Sequence, residues 1–88
     1  MKNYKFIISG KVQGVYYRAN INKNALESGY SGYVKNKTDG TVEAAVSCEE
    51  SQIKDFITIL KNGSPYSNVT NIKQLECSET FSGDFEIR

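Results

Sequence analysis

Asp39-Gly40 stands between two strand-like runs, Tyr30 to Lys37 and Thr41 to Ser47. A dipeptide of this kind between such runs is the commonest short-range hairpin signal. The two runs therefore pair antiparallel, and the rest of the chain has to be built around that hairpin. Upstream, Tyr4, Phe6 and Ile8 alternate with Lys5, Ile7 and Ser9, the period of a strand with one face packed more heavily than the other. From Tyr17 to Ser28 the apolar positions Tyr17, Ile21 and Ala25 recur every four residues with Leu26 beside them. Gly29 sits where a left-handed residue would end a helix. Asn20, Asn22 and Asn24 are weak helix formers, so this helix must depend on packing more than on propensity.

Downstream, Ser47-Cys48-Glu49-Glu50 offers a capping box, and Ile53, Phe56, Ile57 and Leu60 follow at i, i+3, i+4 and i+7 before Gly63. This is the most strongly patterned helix. Asn62-Gly63-Ser64-Pro65 reads as a turn, Val69 to Cys77 as a weaker strand, Ser78 to Gly83 as a loop, and Asp84 to Arg88 as a short last strand with Phe85 and Ile87 on one face. The order is βαββαβ plus a terminal strand. Two right-handed βαβ crossovers around a central hairpin give an α+β, ferredoxin-like sandwich: an antiparallel sheet, both helices on one face, and the first strand between the third and fourth. The 88 residues are expected to form a single domain, 1–88, since a chain this short buries only about two-thirds of its unfolded surface and has no room for a second module.

Composition excludes several classes of function. A formal net charge of +1 provides no broad electrostatic footprint for nucleic acid or an anionic membrane, so any cationic function is local. No apolar run is long enough to span a bilayer, and Met1 to Lys5 lead into a strand instead of a signal-peptide core; a cytoplasmic location is expected. There is no histidine, which removes phosphohistidine intermediates, Ser-His and Cys-His pairs and histidine-bearing zinc sites. Cys48 and Cys77 lack CxxC spacing and read as free structural thiols. In the expected topology they lie two strand spacings apart, about 9–10 Å, too far for a disulfide. Cys48 falls near a predicted helix start, where a thiol pKa can drop.

Between the first strand and first helix lies Gly10-Lys11-Val12-Gln13-Gly14-Val15-Tyr16-Tyr17-Arg18. Two glycines allow positive φ, so successive N–H groups from Gln13, Gly14, Val15, Tyr16, Tyr17 and Arg18 can turn toward one anion. The helix start adds unpaired N–H groups and the positive end of its dipole. The Arg18 guanidinium can meet two phosphate oxygens at once. Taken alone, residues of this kind more often form a strain-relieving turn followed by a solvated arginine. Neither a P-loop nor a dinucleotide fingerprint is present.

The run Gly-x-Val-Gln-Gly-Val-Tyr16-Tyr17-Arg18 resembles the signature of the acylphosphatase family, whose usual form has two phenylalanines at the tyrosine positions. Tyr16 and Tyr17 are read as core or loop-anchoring aromatics. A second stretch, Gly32 to Asn36 running through Lys37-Thr38-Asp39-Gly40-Thr41 to Glu43, resembles the second signature of that family. There an asparagine precedes a short turn ending in glycine. From side-chain chemistry alone, Asn36 could equally be a turn residue bonding its own backbone.

The resemblance covers nearly the whole chain. It implies that Arg18 is the catalytic phosphate-binding residue and that Asn36 orients the attacking water. The substrate implied is a small acyl phosphate, cleaved to a carboxylate and inorganic phosphate, with phosphate or sulfate as competing anions. No metal or other cofactor is implied, nor any nucleic-acid or membrane partner, and a stand-alone monomer is expected. Two rivals remain: a non-catalytic ferredoxin-like module that binds RNA through strand aromatics such as Tyr4, Tyr30 and Tyr33, and a domain of a larger enzyme handling carbamoyl phosphate.

Overall fold

The structure is a computed structural model and describes residues 1–88. Strand β1 runs over Lys2–Lys11, helix α1 over Tyr17–Glu27, β2 over Ser31–Asn36 and β3 over Val42–Cys48. A 3₁₀ turn at Glu50–Gln52 leads into α2, Ile53–Asn62, followed by β4, Asn68–Glu76, and β5, Phe85–Ile87. The sheet order is β4-β1-β3-β2-β5, so the first strand does lie between the third and fourth. The pairs β1–β3, β1–β4 and β2–β3 are antiparallel. The extra C-terminal strand joins the free edge of β2 in parallel, with Phe85 opposite Gly32 and Ile87 opposite Val34, and this makes the ferredoxin-like sheet mixed.

One face of the sheet meets both helices. Phe6 and Ile8 of β1, Val42, Ala44 and Val46 of β3 and Val34 of β2 pack with Tyr17, Ile21 and Ala25 of α1 and Phe56 and Leu60 of α2 in one buried cluster. Fully burying a side chain of this size contributes roughly 1.5–3 kcal/mol. The four-residue period therefore picked out the inner stripe of α1. Leu26, however, is 44% exposed, because it lies round the helix from that stripe.

The capping box is displaced from its expected place. Ser47 and Cys48 are still paired with Asn3 and Lys2 of β1, so the chain is not free to turn until Glu49. The box forms between Glu49 and Gln52, with the Glu49 N–H donating to Gln52 Oε1 at 3.0 Å. The Ser47 hydroxyl instead donates to Asn3 Oδ1 and accepts from the Phe81 N–H, fastening the segment before β5. Cys48 is thus the last residue of a strand. It is buried, and burial pushes its thiol pKa up, opposite to the lowering expected at a helix start.

On the opposite face, Tyr33, Ala45 and Phe81 form a small second cluster. The Tyr33 hydroxyl donates to Glu43 Oε2 at 2.7 Å, while Lys35 Nζ lies 3.5 Å and Lys37 Nζ 3.9 Å from the same carboxylate. Burial alone would raise the Glu43 pKa. The tyrosine bond and the nearby Lys35, Lys5 and Lys37 charges outweigh it, and the carboxyl is held below its ordinary range.

Gly10 belongs to β1, not to the turn that follows. It occupies a bulge where the register with β4 shifts after Ser9. Its φ is +122°, and a Cβ there would stand 2.1 Å from the Asn68 carbonyl oxygen. Gly10→Ala should therefore destabilise the protein by about 3 kcal/mol or more in chemical denaturation. A loss under 1 kcal/mol would contradict the close approach of β4.

A second prediction concerns the outer face. Tyr33→Phe removes a hydrogen bond to a charged acceptor and should cost about 2 kcal/mol at pH 7. Glu43 titrates lower in the folded than in the unfolded state, so its contribution is full above the ordinary glutamate value of about 4.3 and is lost as pH falls through the folded value. The difference between Tyr33→Phe and the parent, measured by urea unfolding, should accordingly shrink from pH 7 toward pH 3. A difference that grew in acid would reverse the assigned sign.

Candidate active site

Five residues, Val12 to Tyr16, carry the chain from β1 to α1. Val12 and Val15 point into the core and fix the loop from below. Gly14 turns it at φ +72°, and Tyr16, the only non-glycine residue with positive φ, turns it again at +61°. A left-handed backbone at a residue bearing a Cβ costs roughly 1–2 kcal/mol, so tertiary contacts must hold it.

Those contacts come from three elements. The Gln13 side-chain amide donates from Nε2 to the carbonyl oxygens of both Lys37 and Thr41, each at 2.8 Å. These two residues form the neck of the β2–β3 hairpin, where the Lys37 N–H also donates to Thr41 O at 2.9 Å. From the far side, the buried Ser64 hydroxyl donates to the Val15 carbonyl. The Tyr17 hydroxyl, buried in the core, donates to Leu60 O at 2.8 Å, and Asn20 Nδ2 closes on Tyr16 O at 2.9 Å.

With the carbonyls engaged in this way, the N–H groups are left. The backbone N–H groups of Gln13, Gly14, Val15 and Tyr16 donate to no acceptor in the protein. The first turn of α1 adds further donors, since its N–H groups lack partners by construction. Open amides at the positive end of a helix are suited to an oxyanion.

Arg18 and Asn36 line one cleft of about 380 Å³, together with Val12, Gly14, Tyr16, Tyr17, Ala19 and Ile87. The structure thus brings the two polar side chains to the same side of the molecule. Arg18 is half-buried and takes part in none of the ion pairs. Its Nη1 reaches only the Arg88 carbonyl oxygen, at 3.4 Å, so most of its donor capacity remains for a ligand. Asn36 ends β2 opposite Val42 with its side chain exposed. No set of three or more His, Cys, Asp or Glu side chains is placed to hold a metal ion.

Two expectations about the tyrosines divide. Tyr17 is a core aromatic, and burial pushes its hydroxyl pKa well up, away from any acid role. Tyr16 is not: it is 72% exposed, because its left-handed backbone swings the ring away from the core and against Tyr66. Sequence reasoning counted Gln13 only for its backbone and Ser64 only as a turn residue, and gave neither side chain a role at the site. The signal for Ser64 was its place beside Gly63, in a turn that had to pass near the loop. Of the three tyrosines named for RNA binding, Tyr30 and Tyr33 are buried and donate to Asp55 and Glu43.

Comparison with known proteins matches residues 4–87 to the acylphosphatase family. An acylphosphatase of Methanocella arvoryzae is 41% identical over 88 residues, covering all of both chains. The crystal structure of acylphosphatase from Bacillus subtilis superposes with a TM-score of 0.91 at 36% identity, covering 100% of this chain and 99% of that one. The T. kodakarensis HypF structure contains a similar region, with a TM-score of 0.80 and 33% identity, but the match spans 12% of that chain. With residues 4–87 matched to the family and the whole length shared with curated acylphosphatases, the chain belongs to the acylphosphatase family.

Proposed function

We propose that this chain, acting as one domain, hydrolyses acyl phosphates to a carboxylate and inorganic phosphate. The phosphoryl group sits on the backbone amides of Gln13 to Arg18, gripped by the Arg18 guanidinium and attacked by a water that Asn36 orients. The observation that carries this reading is the opening of Arg18 and Asn36 onto one cleft, at a loop whose amides have no acceptor of their own.

The residues suit the chemistry. The leaving group is a carboxylate whose conjugate acid has a pKa of roughly 4, so it departs without a proton and no general acid is needed. Phosphoryl transfer through a loose transition state asks the protein for charge stabilisation on the equatorial oxygens and for an in-line nucleophile. The amides and Arg18 supply the first. Asn36 supplies the second by accepting from water through Oδ1 and donating through Nδ2, which fixes direction without a strong base. Water oxygen bonds to phosphorus while the phosphorus–oxygen bond to the acyl group breaks. The electron pair leaves with the carboxylate, and both water protons remain on the phosphate product. An alkyl or aryl phosphate monoester has a poorer leaving group, and no acid in the cleft would assist it.

The near-neutral charge weighs against a nucleic-acid-binding module, and the match to relatives along their full length supports a hydrolase of small acyl phosphates. The defining experiment compares benzoyl phosphate with p-nitrophenyl phosphate without added metal. Fast turnover of the first with little of the second is expected, whereas equal turnover would point to a general phosphatase.

Arg18→Ala should lose both turnover and phosphate binding, kcat falling by about a thousandfold, with the melting temperature retained. Asn36→Ala should lower kcat by about a hundredfold or more while inorganic phosphate or sulfate still inhibits competitively. Near-full activity in Asn36→Ala would remove the water-orienting role. No inhibition by either anion in the parent would count against the cradle.

Gln13→Glu gives a separate test. A carboxylate cannot donate to the Lys37 and Thr41 carbonyls, so the loop and the Asn36 strand should lose their common register. We expect kcat to fall at least tenfold, with partial recovery at low pH as the carboxyl gains a proton and can donate again. A pH profile parallel to that of the parent would indicate a merely structural role.

A further inference from the structure

The cleft continues beyond its polar groups into apolar surface. Tyr16, Ala19 and Ile87 line it beside Arg18 and Asn36, and Tyr66 packs on Tyr16 with ring centroids 6.3 Å apart and planes at 56°. Tyr16 is 72% exposed, Tyr66 67% and Ile87 48%, and the remaining exposed large apolar side chains are Met1, Leu26 and Leu75. Exposed apolar side chains that cluster, Tyr16 and Ile87 on the cleft and Tyr66 against Tyr16, differ from the single ones that any surface carries. The three come from separate parts of the chain: the β1–α1 loop, the turn after α2, and β5.

Tyr16 is placed there at a cost. Its φ of +61° suits glycine, yet the position holds a bulky ring aimed outward, in contact with Tyr66. Its backbone N–H belongs to the proposed cradle, so the ring lies within one residue of the phosphoryl site. In an acyl phosphate one bridging oxygen separates phosphorus from the acyl carbon. A phosphoryl group seated on the amides therefore delivers the acyl group to this mouth.

We infer that Tyr16, Tyr66 and Ile87 form an acyl-group subsite that selects aromatic or extended apolar acyl phosphates over short or charged ones. This rests on the seating of the phosphoryl group proposed above. An aromatic acyl group would lie on Tyr16 and remove water from all three side chains, while tilted ring pairs of this kind add attraction beyond area alone. No lysine lines the cleft, and Arg18 is taken up by the phosphoryl group, so an acyl chain ending in a second carboxylate gains no partner there.

The test measures kcat/KM for benzoyl phosphate and acetyl phosphate in the parent, Tyr66→Ala and Ile87→Ala, alongside the affinities of benzylphosphonate and methylphosphonate, which cannot be hydrolysed. The parent should bind benzylphosphonate about tenfold more tightly than methylphosphonate. Each variant should lower both that preference and the benzoyl-to-acetyl ratio at least about threefold, chiefly through KM for the aromatic substrate. Ratios equal in parent and variants would overturn the subsite while leaving the phosphoryl site intact. If neither phosphonate binds the parent, the phosphoryl site itself fails and the subsite with it.

Discussion

The Gln13 amide reaches from the β1–α1 loop to two carbonyl oxygens at the neck of the β2–β3 hairpin, and the geometry of the cleft depends on that bridge. One side chain satisfies two strand-end acceptors and ties together segments more than twenty positions apart in sequence. The loop that carries the open N–H groups and the strand that carries Asn36 thereby share one reference. Ser64 and Tyr17 secure the other flank by joining Val15 to the turn after α2 and α1 to the end of α2. Both helices and three strands thus converge on a five-residue loop.

This anchoring explains how unfavourable local features persist. Tyr16 holds a left-handed backbone, several amides lack acceptors, and Arg18 has no carboxylate partner. Each is a cost in the free protein, and an oxyanion seated on the loop as proposed would give the open amides and Arg18 their partners. Donors fixed in advance need not reorganise as charge develops, which is the condition under which they stabilise a transition state most. The opposite face of the sheet is organised differently. There the one buried carboxylate, Glu43, is fully partnered by Tyr33, Lys35 and Lys37, and serves the fold.

Much of this architecture could be read from local patterns. Asp39-Gly40 announced the hairpin, and the spacing of Ile53, Phe56, Ile57 and Leu60 announced α2, because turn chemistry and helical period act over a few residues. The glycine loop and Arg18 were visible by motif, as was Asn36. What stayed hidden depends on long-range geometry. The parallel docking of β5 needs the free edge of β2, the shift of the cap to Glu49 needs the pairing of Ser47 and Cys48 with β1, and the exposure of Tyr16 needs its backbone dihedral. Gln13 read as one more polar loop residue because its two acceptors lie across the fold.

The central claim is that main-chain amides of the β1–α1 loop, closed by Arg18, hold the phosphoryl group. Titrating inorganic phosphate into ¹⁵N-labelled protein and following every amide resonance tests it most directly. The account predicts saturable shifts concentrated at Gln13, Gly14, Val15, Tyr16, Tyr17 and Arg18, with the Asn36 side-chain amide the main responder outside the loop. Saturable shifts centred on another surface, or none in the loop at concentrations that inhibit turnover, would contradict it.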